Sequence, residues 1–338
     1  MTILENHPLK GLNTFGMNAF CRFYAEANTA EQLSLLFIKF PTEQYQHLIL
    51  GGGSNILFTR NFEGLVVKIN SLGVQVTSEN QEEVVVKAAA GEDWDRFVAY
   101  CTANGWGGLE NLSLIPGQVG SSPIQNIGAY GVELKDCFES LEAYDIASQS
   151  LRTFYPSDCH FGYRSSVFKK EARGRYVILS VSFRLKKHNH TLRLEYGTVS
   201  SELKKMGITE PSIADLREAV CAIRRAKLPD PLVTPNAGSF FKNPVVDKSK
   251  YLQLSQKHEG LVAYPENDGF KLAAGWLIEN AGWKGHREGD AGVHPQQALV
   301  LVNYGSASGL EILNLAKRIK DSVLEKFGVA LEPEVNIY

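Results

Sequence analysis

No two cysteines in this 338-residue chain are spaced as C-x-x-C. The five present, Cys21, Cys101, Cys137, Cys159 and Cys221, are odd in number and scattered. That argues against a disulfide framework or a structural zinc site and fits a reducing compartment. No apolar run approaches the roughly 20 residues that span a bilayer. Residues 1–13 lack the apolar stretch of a signal peptide. Neither charge is in excess: 35 Lys and Arg face 37 Asp and Glu, so no net field draws the chain to nucleic acid or an anionic membrane. The expected location is the cytoplasm, with neither a nucleic acid nor a membrane as partner. Walker A and G-x-S-x-G motifs are missing, as are repeats and low-complexity linkers. His188 and His190 have no third ligand at metal spacing, so no metal is expected.

The chain holds a mixed order of helices and strands, and its length favours two or three domains. Thr29 caps a helix carrying Leu33, Leu36 and Phe37 on one face. Asp93 opens another with Trp94, Phe97, Val98 and Cys101, stopped by Gly105. Ser212 with Asp215, and Ser308 with Glu311, start two more. Helical spacing also predicts a helix over residues 270–281. Residues 47–50, 64–69, 83–90, 138–147 and 175–185 read as strands. Residues 228–244, rich in Pro and Gly, read as a loop.

Five segments carry polar or glycine chemistry. Gly51-Gly52-Gly53-Ser54-Asn55 follows a strand, and successive glycine amides can form an anion nest. It is not a Rossmann fingerprint, because Ile56 replaces the third glycine and no helix follows. Taken alone it reads as a plain turn. Residues 115–131 are long for a connecting loop. Their apolar Ile115, Val119, Ile124 and Ile127 speak against disorder, while Ser121, Ser122, Gln125 and Asn126 offer polar atoms to a nucleotide. Arg164, among aromatics in residues 161–168, suits a carboxylate or phosphate, or is a surface arginine. Ser239 lies in a tight turn over residues 236–244 with no His nearby to form a triad. Glu332 and Glu334 would point to opposite faces of a strand, so one at most faces a given pocket.

Taken together, residues 13–16, 51–55, 115–131, 161–169, 227–231, 236–244, 271–278, 294–303 and 331–335 resemble, in this order, the UDP-N-acetylenolpyruvoylglucosamine reductases. Residues 192–197 resemble the tyrosine loop of that family's longer, type I branch. The resemblance implies an α+β fold: two FAD-binding subdomains of the vanillyl-alcohol oxidase type plus an α+β substrate-binding domain. The implied boundaries are 1–70 with 329–338 for subdomain 1, 71–226 for subdomain 2, and 227–328 for the substrate domain. It implies non-covalent FAD, NADPH as co-substrate, a UDP-sugar substrate and a monomer. It places FAD against Gly51, Gly52, Gly53, Ser54, Asn55, Ile115, Gly117, Gly120, Ser121, Ser122, Asn126, Gly128 and Gly131. It makes Ser239 the proton donor and has Arg164 and Glu334 stabilise an enolate-like intermediate. It sets Tyr163, Tyr196, Lys227, Asn243 and Gln297 against the UDP-sugar. Two positions depart from some relatives: Pro235, where glycine is found, and Asn336, where arginine is found, so Asn336 is left out of the site. A flavin oxidase of the same fold would need neither Ser239 nor Lys227. A non-catalytic flavin protein would not need Arg164, Ser239 and Glu334 together.

Overall fold

The computed structural model describes residues 1–196, 198–266 and 268–338. Gly197, at the end of the tyrosine-loop resemblance, lies outside the described residues. The chain divides into two compact units. One comprises Met1–His7, Cys21–Gly52 and Glu63–Ala226; the other comprises Pro8–Phe20, Gly53–Phe62 and Lys227–Tyr338.

The first unit holds a four-stranded sheet in the order Ile3–Pro8, Phe20–Ala27, Phe62–Ile69, His47–Leu50. Its last two strands are parallel, with Leu50 beside Lys68. Thr29 accepts the Gln32 amide at the start of the helix Ala30–Lys39. That helix buries Leu33, Leu36 and Phe37 in a cluster with Leu65, Val67 and Ile69. A five-stranded antiparallel sheet follows, ordered Ser150–Phe154, Phe138–Asp145, Tyr176–Lys186, Glu83–Ala89, Val74–Glu79. At its heart Trp94 meets Phe183 edge-on and Phe97 packs on Phe183 at a tilt, and the Trp94 indole donates to the Leu112 carbonyl (2.8 Å). The helix Ile213–Lys227 packs Leu216, Val220 and Ile223 against Val199 and Leu203.

In the second unit, Asn236–Ser239, Val300–Asn303, Ala291–Val293 and Arg287–Glu288 form an antiparallel sheet. The segment expected to be a loop over 228–244 therefore contains a strand. Its partner lies about sixty residues downstream, beyond the reach of local sequence pattern. The helix expected over 270–281 is shorter, Ala274–Asn280, because Gly269–Leu272 is the central strand of a hairpin sheet with Val245–Asp247 and Ala263–Glu266. Phe270 and Leu272 suit either period, and the neighbouring strands decide. The helix Gly309–Phe327 has a full Ser308–Glu311 capping box and ends on Gly328, whose φ is 61°. The parallel pair Asn336–Ile337 with Ile56–Leu57 ties the tail to the segment after the glycine loop.

Candidate functional site

Within the first unit Gly51 and Gly52 meet the glycine-rich segment 115–131. A Cβ on Gly52 would stand 2.9 Å from the Gly117 Cα, backbone against backbone. A Cβ on Gly51 would touch Gln118 and Ser121, and one on Gly120 would strike Ala90 at 2.5 Å. At Gly52 and Gly120 close approach requires glycine, whereas at Gly51 the contacts are ordinary van der Waals ones. The Gln118 amide donates to the Gly91 carbonyl (2.8 Å), while its Oε1 is buried without a partner. Among the described residues, neither the Gly52 nor the Gly53 amide donates a hydrogen bond. Ser121 and Ser122 donate to the carbonyls of Gln118 and Val119, so both retain only acceptor capacity. Asn126 is fully buried and its side chain is spent on Glu133, Gly162 and Lys135; it pins the loop internally.

Arg164, with φ 50°, packs beside that same loop: its guanidinium Nη1 lies 3.5 Å from where a Gly128 Cβ would stand. Ser166 donates to the Ile124 carbonyl (2.6 Å) and Lys169 to Gln125 (3.1 Å), fixing the arginine-bearing turn. Tyr163 lies 5.9 Å from the Arg164 guanidinium. Tyr196 packs on Gly131, a Cβ on which would stand 3.5 Å from its own, and is 44% exposed. Ile115 follows Leu114, whose amide donates to Asp95 (2.7 Å). Burial opposes ionisation of Asp95, yet the Arg217 guanidinium and the Leu114 amide outweigh it and hold its carboxyl below the usual range. Arg224 was not singled out in the sequence. It is half-buried, its Nε is enclosed without a partner, and it makes no ion pair among the described residues. Burial lowers its guanidinium pKa, and the Arg164 charge acts in the same direction. A half-buried arginine with an enclosed, unpartnered Nε is the signal; from sequence alone it reads as one more polar helix residue.

In the second unit the serine turn and the acidic tail run side by side. The Glu334 amide donates to the Phe240 carbonyl (2.8 Å), and the Lys242 amide to the Glu332 carbonyl (3.0 Å). Residues 331–335 are extended but outside any named strand, bridged at Pro333 to Phe241. Glu332 pairs with Lys242 at the surface. Asn55 donates to the Glu334 carbonyl (3.4 Å), and the Asn55 carbonyl accepts both the backbone amide (3.1 Å) and the side-chain amide (3.0 Å) of Asn336. Asn336 therefore has a structural task that the sequence did not suggest. A Cβ on Gly53 would stand 2.0 Å from the Leu12 carbonyl oxygen. Thr14 donates to the carbonyls of Gly53 (3.1 Å, backbone amide) and Asn236 (2.6 Å, hydroxyl), linking residues 13–16 to both segments. Ser54 follows Gly53 in the same loop. Asn243 accepts the Ala274 amide (2.9 Å), and Gln297 lies 3.2 Å from where a Gly275 Cβ would stand, so both gather at the start of the helix Ala274–Asn280. Lys227 is exposed at the end of the helix Ile213–Lys227.

The donor set fits FAD. Unused glycine amides suit a diphosphate, and a buried acceptor without a donor suits a hydroxyl or ring N–H. No group of three or more metal-ligating side chains occurs among the described residues, and no helix among them is long and apolar enough to cross a membrane.

The family model described as "FAD binding domain" matches residues 22–153. The model described as "UDP-N-acetylenolpyruvoylglucosamine reductase, C-terminal domain" matches residues 230–338. The chain is 51% identical over 331 residues to the UDP-N-acetylenolpyruvoylglucosamine reductase of Pseudomonas savastanoi pv. phaseolicola, covering 98% of this chain and 97% of that one. It is 46% identical to the protein of that name from Flavobacterium johnsoniae, with both chains covered in full. The crystal structure of UDP-N-acetylenolpyruvylglucosamine reductase from Thermus caldophilus superimposes with a TM-score of 0.68 at 21% identity, covering 100% of this chain and 98% of that one. At that identity the likeness speaks to the fold.

Proposed function

The chain belongs to the UDP-N-acetylenolpyruvoylglucosamine reductase family, and from that premise we propose which residues carry its reaction. It is an FAD-dependent oxidoreductase of peptidoglycan synthesis that reduces the enolpyruvyl group of UDP-N-acetylenolpyruvoylglucosamine to UDP-N-acetylmuramate, with NADPH as co-substrate. Bound there, FAD would supply the hydride transfer between NADPH and the enolpyruvyl carbon. The glycine segments 51–55 and 115–131 would hold it without a covalent bond. The observation that carries this assignment is their meeting at Gly52 and Gly117, where no side chain would fit.

Hydride arrival at C3 leaves negative charge on C2 and the carboxylate, which the site must stabilise. Arg164 faces that charge as a bidentate donor. Glu334 shares in the stabilisation, with its backbone anchored to Phe240. Ser239, one residue before that anchor, delivers the proton to C2. An alcohol is a weak acid, but a carbanionic carbon is a strong base. Tyr163, Tyr196, Lys227, Asn243 and Gln297 hold the UDP-sugar, Lys227 as a point charge on the diphosphate. The divisions 1–70 with 329–338, 71–226 and 227–328 serve as two cofactor subdomains and a substrate domain. We place the enzyme in the cytoplasm as a monomer, a location consistent with five free, buried cysteines.

Acid precipitation of the yellow protein tests the cofactor assignment. Intact FAD is expected in the supernatant, and NADPH oxidation by the native protein should depend on the enolpyruvyl sugar nucleotide. Flavin remaining on the precipitate would overturn the non-covalent assignment, and NADPH oxidation indifferent to the sugar nucleotide would overturn the reaction.

A further inference from the structure

Lys68 stands beside Leu50 at the carboxyl end of the parallel pair His47–Leu50 and Phe62–Ile69, where the chain leaves into the glycine loop. In open sheets with parallel strands, ligands gather at that end. The Lys68 side chain is half-buried, and its ammonium donates to the Gly51 carbonyl. No carboxylate lies within ion-pair distance of it among the described residues. Other lysines of this unit do have such partners: Lys87 pairs with Glu142, and Lys187 with Glu79 at 2.6 Å. The field of Glu26 reaches Lys68, but the Glu26 carboxylate is engaged by the Tyr24 hydroxyl (2.9 Å) and the Asn70 amide (3.2 Å). Burial accordingly pushes the Lys68 ammonium down from its ordinary range. A half-buried cation that hydrogen-bonds a carbonyl and pairs directly with no carboxylate is costly unless something negative joins it.

The hydrogen bond also aims the loop. In a trans peptide the carbonyl and the following N–H point in opposite directions. Holding the Gly51 carbonyl toward Lys68 turns the Gly52 N–H away from it. Neither the Gly52 nor the Gly53 amide donates among the described residues. The cation thus sits behind the Gly51–Gly52 peptide, opposite the unused Gly52 amide, and adds positive field to a peptide whose N–H is free for an anion.

We propose that Lys68 is a further cofactor-binding residue, supplying the positive charge that holds the FAD diphosphate at Gly51–Gly53. This rests on the reading that those glycines cradle that diphosphate. The test is FAD dissociation from the holoenzyme, followed as recovery of flavin fluorescence on dilution, for the native chain and for Lys68→Met, Lys68→Gln and Lys68→Arg. Lys68→Met and Lys68→Gln should raise the dissociation constant about 10- to 100-fold, the range a unit charge several ångström behind a phosphate supports at a protein's effective dielectric. They should also flatten its dependence on salt, while Lys68→Arg stays close to native. Lys68→Gln keeps a donor for Gly51 without the charge. FAD bound by Lys68→Gln as tightly as by the native chain, with the same salt dependence, would overturn the proposal. If Lys68→Met fails to fold, the comparison of Gln with Arg decides. A native protein that carries no FAD would overturn the cofactor reading itself and the proposal with it.

Discussion

Ser239 ends the strand Asn236–Ser239, and the next residue, Phe240, gives its carbonyl to the Glu334 amide. The proposed proton donor and the proposed carboxylate are thereby held on adjacent backbone. Replacing Ser239 by Ala should separate the two halves of the reaction. Flavin reduction by NADPH needs no proton from Ser239 and should be nearly unchanged, as should FAD content. Re-oxidation by the sugar nucleotide should slow by about 10²–10⁴-fold, the usual contribution of a positioned acid. Ser239→Cys, which keeps a transferable proton, should recover part of the rate. Equal slowing of both half-reactions, or of neither, measured in rapid mixing, would make Ser239 a turn residue. Asn336, set aside in the sequence because some relatives place arginine there, belongs to the same neighbourhood through its two hydrogen bonds to the Asn55 carbonyl.

Between elements, the Asp95–Arg217 pair joins the helix Trp94–Ala103 to the helix Ile213–Lys227 with contacts of 2.7 and 3.0 Å. Asp95 also holds the Leu114 amide at the entry to residues 115–131. The Asp95 carboxyl lies below its ordinary range in the fold. Its contribution is therefore fully present above the unfolded carboxylate value of about 3.9 and is lost as pH falls through the lower folded value. Asp95→Asn should cost about 1–3 kcal/mol near neutral pH. In denaturant titrations the gap to the native chain should close as the solution is acidified. A gap that is constant with pH would show that the charge plays no part.

Helix starts were legible because capping is local: Thr29, Asp93, Ser212 and Ser308 each find their amide or carboxylate partner three residues away. The strand Asn236–Ser239 was not, because Pro235 and Gly238 signal a turn and its partner strand is distant. The strands Val74–Glu79 and Ser150–Phe154 lie at the two edges of their sheet and are mostly exposed, so neither shows the apolar pattern that betrays a strand. Of the site, the glycines could be read because they break periodicity. Lys68 and Arg224 could not, since a lysine in a strand and an arginine in a helix gain meaning only from what surrounds them.

For the whole molecule, one set of candidate nucleotide-binding loops is readable and no Rossmann dinucleotide fingerprint occurs in the 338 residues. NADPH and the sugar nucleotide both exchange hydride through one flavin, so they should take turns in one pocket. The measurement that tests this account most directly is anaerobic stopped-flow mixing of the NADPH-reduced enzyme with UDP-N-acetylenolpyruvoylglucosamine. Oxidised-flavin absorbance should return without oxygen, at a rate no slower than turnover. Flavin that stays reduced in the presence of the sugar nucleotide, and is re-oxidised only when oxygen is admitted, would contradict the account and identify an oxidase.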